Sequence, residues 1–189
     1  MDRRDLLRSL GALTIPALLG RTPEDLLDIG QRLNDRLTGS PRPTGPLGPF
    51  TAHQNEVVTT IAEHILPRTD TPGARDARVN EFIAVIVEEW YTDEERTRFL
   101  AGLVDVDRRC QAEFTRDFLA CTAGQQAAVL RGLDAEVAAL RTAKEDTGRL
   151  FWPMMKSLTL YGYFTSELVQ TKVLKTPIIP GRFDGCVAF

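Results

Sequence analysis

Three of the apolar runs in this chain open on a threonine three residues ahead of a glutamine or glutamate: Thr51 and Gln54, Thr92 and Glu95, Thr122 and Gln125. In a capping box the hydroxyl accepts from the third backbone N–H, and the longer side chain reaches back to the threonine's own N–H. Such a pair specifies the start of a helix. The residues after each pair agree. Val57, Val58, Ile61, Ile65 and Leu66 come after the first, and Pro67 ends that run. Phe99, Leu103, Val106, Cys110, Phe114 and Phe118 come after the second; Val129, Leu130, Leu133, Val137 and Leu140 come after the third. Between the first two lie Val79, Phe82, Ile83, Ile86 and Trp90. Steps of three and four residues put each set on one helical face. After a break at Gly148, a last helix is predicted from Phe151 to about Val169, with Trp152, Met154, Met155, Leu158, Tyr161, Tyr163 and Phe164. No strand pattern competes. The fold expected is all-α, a bundle of four to five helices with extended, Pro/Gly-rich N-terminal and C-terminal arms.

The two ends read differently from the middle. Arg3 and Arg4 precede Leu6 and Leu7, and residues 10–19 carry no charge. A basic start followed by an apolar run is the layout of an export signal. Adjacent arginines make it twin-arginine in type, the address for cargo exported already folded. Residues 1–20 are therefore read as a signal segment. Thr22-Pro23-Glu24-Asp25 then starts a helix, with a capping hydroxyl, a first-turn proline and two acids at the positive end of the dipole. Leu26, Leu27, Ile29, Leu33 and Leu37 give it one apolar face. Pro41, Pro43, Pro46 and Pro49 make residues 40–50 a linker, so 21–50 is helix plus linker and 51–189 the main domain. At the other end, residues 175–186 hold two prolines and two glycines and no period. With the aromatic helix ahead of it, this tail reads as a partner-binding arm.

Composition closes off several functions. The chain has 189 residues, 43% of them apolar, enough for one domain with a core. A net charge of −3 with mixed signs gives no basic footprint for nucleic acid. No apolar stretch approaches the roughly 18 residues that span a bilayer, so membrane association is expected to be indirect. His53 and His64, eleven apart on one expected helix, cannot share a metal whose bonds are near 2.1 Å. Glu88, Glu89, Asp93, Glu94 and Glu95 read as helix-start charges rather than an acid–base pair. Asp70 reads as an Asx-type turn residue. Cys110 and Cys121 would lie about 16 Å apart on one straight helix, too far for a disulfide, and read as small core residues. Cys186, alone in the tail, suggests an intermolecular bond if the compartment is oxidising. No catalytic, cofactor-binding or metal-binding residue is assigned.

Two blocks carry a family resemblance. One is Ile65-Leu66-Pro67-Arg68-Thr69-Asp70-Thr71-Pro72-Gly73-Ala74, continued by Val79 and Phe82-Ile83. The other runs Lys156-Ser157-Leu158-Thr159-Leu160-Tyr161-Gly162-Tyr163-Phe164-Thr165-Ser166-Glu167, then Thr171-Lys172-Val173-Leu174 to Pro180-Gly181-Arg182-Phe183-Asp184-Gly185-Cys186. From about Phe50 onward the chain resembles the gluconate 2-dehydrogenase subunit 3 family, small subunits of flavin-dependent sugar and sugar-acid dehydrogenases. The resemblance implies a periplasmic, non-catalytic partner of a large FAD subunit of the glucose-methanol-choline type, and an escort for its export. It also implies a multihaem cytochrome c subunit in some such complexes, through which any attachment to a membrane would run. FAD and haem would belong to those partners. Tyr163, Phe164, Arg182, Phe183, Asp184 and Cys186 are the interface residues expected, with Cys186 as the candidate for a disulfide to the large subunit. A stand-alone helical redox protein, or a scaffold, is the competing reading from the residues alone.

Overall fold

The computed structural model describes residues 45–175, all within one compact unit, Pro43–Phe189. Six helices account for most of them: α1 (Ala52–Ile65), α2 (Val79–Glu89), α3 (Asp93–Phe114), α4 (Ala123–Thr142), α5 (Phe151–Thr165) and α6 (Glu167–Lys172). Among the described residues the only β-type pairing is an isolated bridge between Leu47 and Phe50. The fold is all-α, as its periodicity indicates. The signal segment and the helix expected from Thr22 onward lie outside the described residues.

All three capping boxes form. Thr51, Thr92 and Thr122 each accept from the N–H three residues on, and Gln54, Glu95 and Gln125 each reach back to the cap's own N–H. That exchange satisfies two N–H groups that a helix start otherwise leaves unpaired. Thr92 holds the Glu95 carboxyl below the usual carboxylate range, mainly through its backbone N–H and then its hydroxyl.

α5 is the hub. It packs against each of the other five described helices, which is why its sequence is apolar on more than one side. Trp152, Met154, Met155, Leu158 and Tyr163 are buried along it. Pro153 falls in its first turn, where no backbone N–H bond is lost. Two small residues let neighbours close on the hub. A Cβ on Gly102 of α3 would sit 2.1 Å from Cγ of Phe151, and one on Gly162 would sit 2.8 Å from Cδ1 of Phe82. Phe99 centres an aromatic group, with ring centroids 5.3 Å from Phe151, 6.0 Å from Phe50 and 6.2 Å from Tyr91. Burial, and then the charge of Glu95, push the Tyr91 hydroxyl up to about 12.

Four local expectations change. The long stripe after Thr92 does not continue as helix to Phe118: α3 stops at Phe114, and Thr115 takes a left-handed conformation with φ 58°. Phe118 is buried all the same, delivered by a loop. Cys110 and Cys121 are consequently not on one helix: Cys110 is on α3, Cys121 lies in the loop ahead of α4, and both are buried. The last helix is broken at Ser166, which ends α5 and caps α6 by accepting from Val169 N–H. Finally, Glu88 and Glu89 lie at the C-terminal end of α2, not at a helix start. There the Arg96 guanidinium binds the Val87 and Glu88 carbonyls at 3.1 and 2.9 Å, satisfying acceptors that a helix end exposes.

Candidate functional site

The first block is a loop organised from below. Glu63, near the end of α1, accepts from Arg68 N–H at 2.8 Å with one oxygen and from Arg75 N–H at 2.8 Å with the other. Asp76 accepts from Gly73 N–H at 3.2 Å and faces Arg68 at 3.6 Å. The backbone of Gly73 presses against the Glu63 carboxylate: a Cβ there would lie 2.5 Å from Glu63 Oε1 and 2.7 Å from Arg68 N. Only glycine fits without displacing the loop. Asp70 binds the hydroxyl of Thr69 at 2.9 Å, while the turn itself is closed by Thr69 N–H to the Thr71 carbonyl at 3.0 Å. The loop then passes to α2 through Arg78, another left-handed residue with φ 54°.

The second block meets the first. Tyr163, 6% exposed, donates its hydroxyl to the Pro72 carbonyl at 2.7 Å. Its ring stands edge-on to Phe164 at 5.3 Å. Of the interface residues expected on this helix, Tyr163 is thus turned inward, and Phe164 is the one that offers area to a second chain. Phe164 is 44% exposed, beside Leu160 at 42% and Tyr161 at 66%, with Leu174 at 46% just beyond α6. Most of the large apolar exposure among the described residues falls on α5 and the segment after it. Sequence alone does not single out Leu160 and Tyr161 as exposed, because an apolar-rich helix gives no phase by which to tell its outer face. Arg182, Phe183, Asp184 and Cys186 lie outside the described residues, as do Arg3, Arg4, Leu6 and Leu7.

A cleft of about 320 Å³ opens between the end of α1, α4 and α5, lined by His64, Leu130, Arg131, Asp134, Trp152 and Lys156 among others. Asp134 accepts from Trp152 Nε1 at 2.7 Å and from Lys156 Nζ at 2.8 Å, and Nζ lies 5.5 Å from the Trp152 ring centroid. Lys156, then Trp152, holds the Asp134 carboxyl below the usual range. His64 Nε2 is 2.9 Å from Gln126 Oε1, an acceptor, so this nitrogen carries the proton. His53 Nε2 instead meets Asp107 Oδ2 at 2.7 Å. Each histidine has its own partner on a different helix. Among the described residues no three His, Cys, Asp or Glu side chains stand together to hold a metal. Of the cleft's polar groups, Asp134, Trp152 and Lys156 pair with one another, and none of these three is placed as a nucleophile beside a base.

The family model for gluconate 2-dehydrogenase subunit 3 matches residues 52–181. The match takes in the first block and the second as far as Gly181, short of Arg182, Phe183, Asp184 and Cys186, and the chain belongs to the gluconate 2-dehydrogenase subunit 3 family. No curated protein and no solved structure matches the chain significantly.

Proposed function

We propose that this chain is the non-catalytic small subunit of an FAD-dependent dehydrogenase complex acting on a sugar or sugar acid. In this reading it escorts the flavoprotein through export and stabilises it afterwards. The large subunit is of the glucose-methanol-choline type and carries the FAD; a multihaem cytochrome c, where present, carries the electrons onward and any membrane attachment. The complex works in the periplasm, reached by the twin-arginine route that Arg3, Arg4, Leu6 and Leu7 address.

One observation carries the reading beyond family membership. The helix that packs against every other described helix still presents Leu160, Tyr161 and Phe164 outward, a row that a self-sufficient bundle would bury or replace with polar residues. Aromatic anchors beside an apolar neighbour are what a buried interface core uses. The tail with Arg182, Phe183, Asp184 and Cys186 comes after that face in sequence and extends the contact, with Cys186 bonded to the large subunit.

The test is co-purification of the tagged full chain, with identification of the proteins retained on it. An FAD-containing large subunit is expected, joined to this chain in a band of summed mass that reduction removes. Replacing Arg3 and Arg4 together by Lys should strand both chains in the cytoplasm. A yellow or red colour held by this chain alone would point to a redox protein in its own right. Normal periplasmic dehydrogenase in the Lys–Lys variant would remove the escort role.

A further inference from the structure

The cleft between the end of α1, α4 and α5 keeps bonding capacity that its own side chains do not use. Arg131 and Asp134 both line it, three residues apart on α4. Positions so spaced share a helix face, with Cβ atoms about 5–6 Å apart. The two do not pair; Asp134 is engaged from α5. Trp152 Nε1 and Lys156 Nζ both donate to its Oδ1, at 2.7 and 2.8 Å. Its Oδ2 accepts from no described residue, and the side chain is 53% exposed. Arg131 is exposed as well and makes no hydrogen bond or ion pair among the described residues. His64 on α1 is already engaged: Nε2 donates to Gln126 Oε1 at 2.9 Å, and Gln126 Nε2 donates to the Phe118 carbonyl at 2.8 Å. One wall of the cleft is thus fixed, and two groups of opposite kind, a fork of donors and a lone acceptor, are left on its lining.

Charge and shape decide what fits. His64 aside, the lining sets two cations, Arg131 and Lys156, against one carboxylate. Lys156 and Asp134 offset each other, so one positive charge remains, on Arg131. A monoanion balances it, and a phosphate dianion does not. The guanidinium presents a planar fork that matches a carboxylate bidentately. Lys156, and then Trp152, hold the Asp134 carboxyl below the usual range, so Oδ2 accepts and cannot donate. Its counterpart is a donor. An ammonium would meet the Lys156 charge on the same carboxylate; a hydroxyl would not. The volume, about 320 Å³, stands at the small end of ligand pockets and suits a compact molecule. We infer that this cleft binds a small hydroxy acid, with its carboxylate on Arg131 and a hydroxyl donating to Asp134 Oδ2. The site is built from this chain alone, so the inference goes beyond the small-subunit reading and does not rest on it.

A ligand held this way binds the folded chain and not the unfolded one, so it raises the melting temperature by mass action. Trp152 reports on it, since its indole N–H holds the same carboxylate. The chain has two tryptophans, and Trp90→Phe leaves a single indole signal to follow.

The full chain is titrated at constant ionic strength with gluconate, a polyhydroxy acid, and with lactate, propionate and free alanine. Calorimetry gives the affinities, and the indole N–H signal of the Trp90→Phe chain gives the place. Gluconate is expected to bind saturably, to move that signal and to raise the melting temperature. Propionate, which lacks the hydroxyl of lactate, and alanine, which carries an ammonium in its place, should each bind about tenfold or more weaker than lactate. Arg131→Ala changes an exposed helical position to the better helix former, so the variant should fold as the parent does and bind gluconate about tenfold or more weakly. Absence of saturable gluconate binding, or binding that Arg131→Ala leaves unchanged, overturns the site. Propionate or alanine equal to lactate overturns the hydroxy-acid assignment. The measurement uses this chain alone, so its failure leaves the small-subunit reading as it stood, and a failed co-purification leaves the site as it stood.

Discussion

The loop after α1 and the outward side of α5 use their side chains in opposite ways. The loop's polar groups are turned inward on its own backbone: Glu63 takes two N–H groups, Asp76 takes one, and Gly73 lies against the Glu63 carboxylate. The outer side of α5 makes no such use of its own chain. Leu160, Tyr161 and Phe164 face outward a residue or two from Thr159 and Tyr163, which are buried. One block is therefore occupied in holding a shape, and the other holds a shape on one side and is vacant on the other. A family signature made of both mixes the two kinds of constraint.

The sharpest separation lies within α5. Met155, fully buried on the inward side, loses about 2–5 kcal/mol of stability on replacement by Ala, through transfer and cavity terms together; urea unfolding measures it. Tyr161→Ala with Phe164→Ala on the outward side should cost less, about 1–2 kcal/mol, mainly through the edge-on contact of Phe164 with Tyr163. The same pair should weaken capture of the large subunit by about 2 kcal/mol or more, roughly thirtyfold. Unfolding in place of lost capture would make the outer face part of the core. Equal capture would leave it without a partner.

The loop gives the smaller effects. Gly73→Ala drives a methyl onto the Glu63 carboxylate and should cost about 1–3 kcal/mol, read by thermal melting, with no change in affinity for the partner beyond that loss. A variant that folds normally yet binds poorly would show that the loop is itself a contact. Smallest is Tyr163→Phe. It keeps the ring and removes the bond to the Pro72 carbonyl, for about 1 kcal/mol. Amide exchange should then quicken in residues 68–76 before it does so in α5; uniform quickening would mean that the two blocks open as one unit.

Much of the architecture is written in short-range chemistry. Thr51, Thr92 and Thr122 announce three helix starts because a capping box is complete within four residues. Pro67 marks a stop for an equally local reason, whereas α4 ends at Thr142, with Lys144 left-handed, ahead of the break expected at Gly148. Whatever depends on a partner distant in sequence escapes. The Phe99–Cys110 stripe keeps its period into Phe114 and Phe118, and nothing local reveals that Thr115 reverses the chain before the stripe ends. Glu63 looks like any helix-surface acid until residues 68 and 75 return to it. Ser166 resembles a tolerable mid-helix serine, and its role as a shared cap comes from how α6 packs. The interface on α5 is half legible: aromatic density points to the helix, but only its burial separates Phe164 from Tyr163.

The hydroxyl of Tyr163 and the carbonyl of Pro72 lie 91 residues apart in sequence. Contacts of such span are slow to close, since the intervening chain must be ordered before they are rewarded. The same holds for the hub as a whole, because α5 follows α1 to α4 in the chain and packs against each of them. Until residue 165 has left the ribosome, α1 to α4 can pack only on one another, and the faces that α5 covers stay open. Completion of the bundle thus waits until α5 has been made. A sorting machinery that accepts only folded cargo would find in the arrival of α5 a single step at which this chain becomes acceptable.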